Sequence, residues 1–407
     1  MALAADPPAE DTVAVKRTER RTSGVAFGAH ALHDGYTDLI YVMLPIWQVE
    51  FGLGYAALGM LRGLFSGAMA GLQIPAGMLG ERFGPATVLA AGTALSGLGF
   101  CLAGASTGLA MLIVALALGG IGSSVQHPLG SELIARTYAG SRSLRALGIY
   151  NFSGDIGKMT VPALVALMIT VMPWRGSLAI LGGAGILAAL AILLAMPRIA
   201  PVPKPTAAAA AEPHAAPGGA PPPDNVAFWN LVSIGVFDSA TRMAFLTFLP
   251  FVLAAKGASL PTIGLALTLV FAGGAAGKLV CAFIGGRIGV IGTVWLTEAL
   301  TAAGIVALLP LPLEPALVLL PLIGVALNGT SSVLYGSVPF LVAPERRSRA
   351  FGIFYTGTIG SGATAPIIFG FAGDAFGVPT AVVMVAAVSL ATLPLAAMLR
   401  PALAQHA

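Results

Sequence analysis

GIYNFSGDIGKMTVP, residues 148–162, and GIFYTGTIGSGATAP, residues 352–366, read as one segment written twice. Gly148, Ile149 and Pro162 fall on Gly352, Ile353 and Pro366, and Tyr150 falls on Phe354, all 204 residues apart. Working outward, Asp34 meets Asp238 at the same spacing, and Asp38 falls opposite Arg242. Gly59, Gly80 and Gly84 meet Gly264, Gly285 and Gly289 at a spacing of 205. A single match means little in a chain with 52 glycines. A common spacing across several segments predicts two related halves, and repeats of this kind place a substrate site near the middle of a membrane.

The halves are apolar. Of 407 residues, 57% are hydrophobic and 9% charged, and the mean hydropathy is +0.89. A soluble domain carries about 25% charged residues. A water-facing surface cannot be covered with so few, so a bilayer is the expected solvent. Apolar runs fall at 23–49, 55–79, 86–106, 108–135, 145–170, 176–196, 226–253, 260–284, 290–311, 315–342, 349–372 and 377–399. A helix of ~20 residues crosses a bilayer, and these runs are too long for barrel strands. Residues 197–224, PRIAPVPKPTAAAAAEPHAAPGGAPPPD, cannot bury a core and read as a linker. The expected organisation is a tail over 1–22, a six-helix bundle over 23–196, a linker over 197–224, a second six-helix bundle over 225–400 and a tail over 401–407.

Lysine and arginine placement sets orientation. With the N-terminus in the cytoplasm, the inner side receives Lys16, Arg17, Arg20, Arg21, Arg82, Arg136, Arg142, Arg145, Arg198, Lys204, Arg287, Arg346, Arg347, Arg349 and Arg400. The outer side receives Arg175 and Lys256. Both termini and the linker are therefore expected inside, in a multi-pass protein of the plasma (inner) membrane. The N-terminus does not read as a cleavable signal. The net charge of +4 is spread between spans rather than gathered in a patch, so no nucleic-acid partner is expected. Cys101 and Cys281 lie in apolar runs and read as small core residues.

Six plus six spans, a cytoplasmic linker and parallel halves resemble the major facilitator superfamily. So does the loop Gly77-Met78-Leu79-Gly80-Glu81-Arg82-Phe83-Gly84, which is similar to that family's signature loop. It departs from the usual pattern in having Glu81 for Asp and Pro85-Ala86 for a basic pair, and its second copy, Gly285 to Gly289, lacks the acid. The resemblance implies an all-α fold of twelve transmembrane helices in two pseudo-symmetric six-helix bundles. It also implies that Glu81 and Arg82 latch the cytoplasmic side in one conformation; a tight turn with two solvated charges is the plainer reading. The run Gly122 to Ser131 is similar to the fourth helix of fosmidomycin-resistance-type exporters, although Leu129 stands where that branch has Glu.

Ionisable groups inside the spans are costly, by ~2.5–3.5 kcal/mol each on insertion scales, and need a partner or a cavity. His30, Asp34 and Asp38 share one face of the first span at i, i+4, i+8. Two carboxylates one turn apart repel, and one of them is expected to exchange protons near neutral pH; pairing with a neighbour such as Arg62 is the alternative. Asp155 and Lys158 sit at i, i+3 on the fifth span, as an ion pair or a coupling site. Asp238 and Arg242 sit at i, i+4 on the seventh, where Arg242 either pairs with Asp238 or grips an anionic group. Glu298 on the ninth shows no evident partner. His127 precedes Pro128, which weakens the helix, and reads as a substrate contact or a core histidine. Asn328 and Tyr335 share a face of the tenth span, for substrate or for packing.

Asp34, Asp38 and Asp155 are therefore the candidates for proton coupling. His30, His33, His127, Lys158, Asp238, Arg242, Asn328 and Tyr335 are the candidates for substrate. The expected function is a secondary transporter, a monomer in the lipid bilayer. It would move a small organic solute by alternating access, with protons as coupling ion, as an efflux antiporter. Uptake of an organic anion is one alternative. Export of a divalent metal through the first-span histidines is another, although spacing alone assigns no metal site. No nucleophile–base pair, phosphate loop or metal motif marks an enzyme, and no cofactor is expected.

Overall fold

The computed structural model describes residues 9–138, 141–196, 226–342 and 347–403. The linker and its Lys204 lie outside them, as do Arg198, Arg346 and the ends of both expected tails. The described residues form thirteen α-helices and no strand. In order these are α1 (Ala9–Phe51), α2 (Tyr55–Gly71), α3 (Gln73–Phe83), α4 (Pro85–Gly104), α5 (Leu109–Ser123), α6 (Gln126–Thr137), α7 (Ser141–Met168), α8 (Trp174–Ala195), α9 (Val226–Ala255), α10 (Leu260–Leu308), α11 (Leu313–Leu341), α12 (Arg347–Phe376) and α13 (Val378–Leu403).

Twelve spans emerge from these thirteen helices. α2 and α3 are one run broken after Gly71, and α5 and α6 are one run broken at Ser124. Each break falls four residues before a proline, Pro75 or Pro128, which has no amide hydrogen for the carbonyl at that position. α10 is two runs joined where Gly289 leaves helical geometry, at φ 72°. α1 begins at Ala9, inside the segment expected as a tail. Its early turns are fixed by Glu19, 2.9 Å from Arg142, and by Ser23, 2.7 Å from the Tyr138 hydroxyl.

Among the described residues, eight helical stretches are long and apolar enough to cross a membrane by length and composition. The four that fall short are α1, α2 with α3, α7 and α12. Three of them carry the buried charges Asp34, Asp38, Arg62 and Asp155, and α12 is diluted by Gly, Ser and Thr. Large apolar side chains such as Leu187, Leu194, Leu279 and Val318 point outward, as lipid-facing helices require.

The repeat is visible in the backbone. Gly52 and Gly257, and likewise Gly84 and Gly289, hold left-handed φ angles of 63°, 84°, 87° and 72°. Each pair ends or joins helices at equivalent points of the two halves, and glycine alone takes that conformation cheaply.

The chain divides into two compact units. One comprises Met1–Thr37, Gly71–Lys158 and Trp174–Val202, and the other Asp38–Ala70, Met159–Pro173 and Pro203–Ala407. In the first unit α4 packs on α8 and α5, with Gly97 against the backbone of Gly182. In the second unit the equivalent stretch of α10 packs on α13, where the Trp295 indole donates to the Leu393 carbonyl at 3.0 Å. The second unit also contains reciprocal contacts between the repeats. Gly59 of α2 lies against the Pro366 carbonyl of α12, and its counterpart Gly264 of α10 lies against Ala163 and Pro162 of α7. The matched prolines of the two written copies thus seat the matched glycines, which let the helices approach closely.

Candidate functional site

In the first unit, α1 and α7 meet at glycines. A side chain on Gly157 would collide with the Ala31 carbonyl, and one on Gly154 with the Asp34 carboxylate. That approach brings Lys158, one residue beyond Gly157, to the first helix. Its Nζ lies 3.4 Å from Asp34 Oδ2.

Three imidazoles complete the shell. His30 Nε2 is 3.5 Å and His33 Nε2 3.7 Å from Asp34 Oδ1. The His127 ring stands edge-on to both, with centroids 5.4 Å from His30 and 4.9 Å from His33. His33, one position off the main face, still reaches the carboxylate. Tyr150 fixes His30 in two ways. Its ring stacks on the imidazole at 4.0 Å, and its carbonyl oxygen lies 2.7 Å from His30 Nδ1. A carbonyl only accepts, so Nδ1 carries a hydrogen. In the neutral ring, Nε2 then turns a lone pair toward Asp34, and that nitrogen has no hydrogen-bond partner. A proton between His30 and Asp34 would satisfy both.

Asp34, His30 and His33 are all buried. A small cavity beside them is lined by His33, Tyr36, Thr93, Ser96, Ser123 and Gln126. Lys158, with a third of its side chain accessible, and His127 are the partly exposed members. His30, Asp34 and His127 place ligand atoms within 4.8 Å of one another, a spacing that would suit a divalent ion. The Lys158 ammonium on the same carboxylate opposes a dication there.

The second unit holds two further clusters. Asp38 Oδ1 lies 3.9 Å from Arg62, which is the neighbour the sequence offered. Arg62 is buried, donates to Tyr41 at 3.1 Å and to Ser66, and lies 4.7 Å from the Tyr41 ring centre. Arg242 and Asp238 pair at 3.5 Å, and Arg242 reaches Asn328 Oδ1 and Ser331 Oγ at the same distance. Glu298, without a partner in the sequence reading, has one: its carboxylate receives the Ser389 hydroxyl at 2.7 Å. Tyr335 sits apart from Arg242, in an aromatic group with Phe351, Phe354 and Tyr355. Asp155 is buried. Glu81 and Arg82 are exposed, Arg82 lies over the Phe83 ring, and among the described residues neither forms an ion pair. Leu129, the branch departure, is fully buried against Gly80 of the signature segment, which is helical through Phe83 as the end of α3.

Comparison with known proteins joins this geometry to a family. The sequence profile described as Major Facilitator Superfamily matches residues 26–233 and again 231–406. The chain belongs to that superfamily.

Members of that superfamily are multi-pass membrane transporters, and the long apolar helices of this chain accord with that. The chain is 31% identical over 173 residues to the fosmidomycin resistance protein of Escherichia coli K12, covering 42% of each. It is 30% identical over 141 residues to a probable L-galactonate transporter of the same organism, covering 35% of this chain and 31% of the relative. These matches span less than half of the relatives' length. In fold, the chain is similar to a solved bacterial homolog of the human lysosomal transporter Spinster, with TM-score 0.71, 16% identity and 95% of each chain covered. That likeness supports the major facilitator fold.

Proposed function

We propose that this superfamily member is a proton-coupled transporter of a small organic anion, working by alternating access as a monomer in the plasma (inner) membrane, with both termini cytoplasmic. The observation that carries the reading is the contact of Lys158 with Asp34 inside a shell of three histidines. Ionised Asp34 holds the ammonium. A proton delivered to the Asp34–histidine group removes the charge that holds it, and Lys158 turns to an anionic substrate instead. Arg242 of the second unit, with its planar donor fork, is the other candidate cation for an anionic group. Proton and anion then bind together, and each stabilises the loaded conformation by binding it better than the empty one. Down an inward proton gradient this coupling gives uptake. The 23–196 and 225–400 halves are the moving bodies in this reading, and Glu81 and Arg82 the latch of the cytoplasmic side.

Efflux is the second reading, favoured by the likeness to the fosmidomycin resistance protein. It requires proton and substrate to compete for the Asp34 group instead of binding together. Purified protein screened by thermal shift against L-galactonate, fosmidomycin and simple carboxylates identifies a ligand, since binding to the folded state raises the melting temperature. Ligand affinity that rises as pH falls through the neutral range supports co-binding; affinity that falls with the same change supports competition and efflux. Absence of any anion among the stabilising ligands would count against the anion class.

A further inference from the structure

Folding gathers at one end of the first unit basic residues that the sequence places far apart. α1 is a single helix of 43 residues. At 1.5 Å per residue it is about 65 Å long, roughly twice the hydrocarbon core of a bilayer. Its apolar run begins at residue 23. Lys16, Arg17, Arg20 and Arg21 therefore stand within about 10 Å of that boundary, at the depth of lipid headgroups.

This extension is docked on the rest of the unit. Its inner face, with Glu19, Thr22 and Ser23, is buried, whereas Lys16, Arg17, Arg20 and Arg21 are exposed. Glu19 lies 2.9 Å from Arg142 of α7, Ser23 shares a hydrogen bond with the Tyr138 hydroxyl, and Arg21 donates to the Leu194 carbonyl of α8. The first of these contacts sets Arg142, and Arg145 one turn on, beside the cations of α1; both are exposed. Glu19 is taken up by Arg142 and Glu132 by Arg136, and among the described residues no ion pair takes up Lys16, Arg17, Arg20 or Arg145. Orienting a chain in a bilayer needs only enough cations beside a span. Cations held on a docked helix, with others brought against them from α7, make a fixed surface of one sign.

We infer that Lys16, Arg17 and Arg20 of α1, with Arg142 and Arg145 of α7, form a binding surface for the phosphate headgroups of anionic phospholipids. Each cation close to a membrane surface strengthens the attraction of anionic lipid by about fivefold, and arginine takes a phosphate through two parallel hydrogen bonds. The partner is lipid and not nucleic acid, because the helix that carries these side chains continues directly into the apolar run and holds them where headgroups stand. The surface depends neither on the proposed proton coupling nor on the choice of substrate.

Native mass spectrometry of the purified full chain, offered equal amounts of phosphatidylglycerol and phosphatidylcholine, tests it. The wild type is expected to retain phosphatidylglycerol preferentially. That preference is expected to fall about 5-fold to 25-fold when Arg17→Gln and Arg20→Gln are combined. Arg287→Gln removes an exposed cation of the second unit and is expected to keep the preference. Equal retention of the two lipids by the wild type overturns the inference, as does an unchanged preference in the double variant or an equal fall in Arg287→Gln. Should the double variant fail to fold, Arg145→Gln decides with an expected fall of about fivefold, and no fall overturns the surface. A rise in melting temperature with glycerol phosphate as large as that with phosphatidylglycerol would mark a site for soluble phosphate and contradict a lipid surface.

Discussion

Lys158 Nζ stands 3.4 Å from Asp34 Oδ2 across two helices that touch through Gly154 and Gly157. The ion pair depends on that backbone approach, and so does the proposed coupling. Lys158→Ala is expected to weaken anion binding about 10-fold to 100-fold, the worth of a charge-assisted hydrogen bond of about 1.5–3 kcal/mol. Arg242→Ala is expected to act in the same direction. Titration of each variant with the anion found by thermal shift checks this, and unchanged affinity in both removes the anionic-substrate reading.

Gly157 has no room for a side chain, whereas Gly148 on the same helix has open space beside it. Gly157→Ala is expected to destabilise by about 1–3 kcal/mol or more, as overpacking does, and to lower transport by moving Lys158. Gly148→Ala should leave both nearly unchanged. Melting temperatures measured in one detergent decide the comparison, and equal effects would contradict the packing described for α1 and α7.

Burial makes Arg62 sensitive to loss of its partner. Arg62→Met leaves the Asp38 carboxylate without its guanidinium, at an expected cost of about 3–5 kcal/mol for breaking a buried pair. Adding Asp38→Asn should recover much of that loss. A double-mutant cycle reads the coupling; strictly additive effects would show that the 3.9 Å contact carries little.

Asp374 at the end of α12 accepts from the backbone amides of Tyr55 and Ala56, at 2.6 Å and 3.0 Å, and so caps the first turn of α2. Asp374→Ala should cost about 0.5–2 kcal/mol, as loss of an N-cap does, and Asp374→Asn less, since an amide oxygen still accepts. A melting temperature in Asp374→Ala equal to the wild type would contradict the cap.

Most of the fold was legible because it rests on local signals. Apolar runs count spans, prolines break them, and the spacing that pairs Gly84 with Gly289 was visible before their shared left-handed geometry. The site was legible only along single helices. His30 and Asp34 share a face by periodicity, and Asp238 and Arg242 pair as their spacing suggests. Contacts between helices were not legible. The i, i+3 spacing sets Lys158 beside Asp155 on its own helix but does not show that the close approach of Gly157 to Ala31 brings it to Asp34. The Asp38–Arg62 contact is the exception, since that pairing was one of the two readings the sequence offered, whereas Lys158 and His127 reach the Asp34 cluster from other helices. Tyr150 orients His30 through its own backbone carbonyl, which no side-chain pattern announces. Glu298 meets Ser389 from a helix 91 residues away, beyond any periodicity rule.

The central claim is that a proton at Asp34 and an anion at Lys158 bind together. The most direct test is the internal pH of vesicles containing the purified protein after a transported anion is added outside. Acidification of the lumen is expected for the wild type, with none in Asp34→Asn although that variant remains folded. Alkalinisation in the wild type, or acidification that persists in Asp34→Asn, would contradict it.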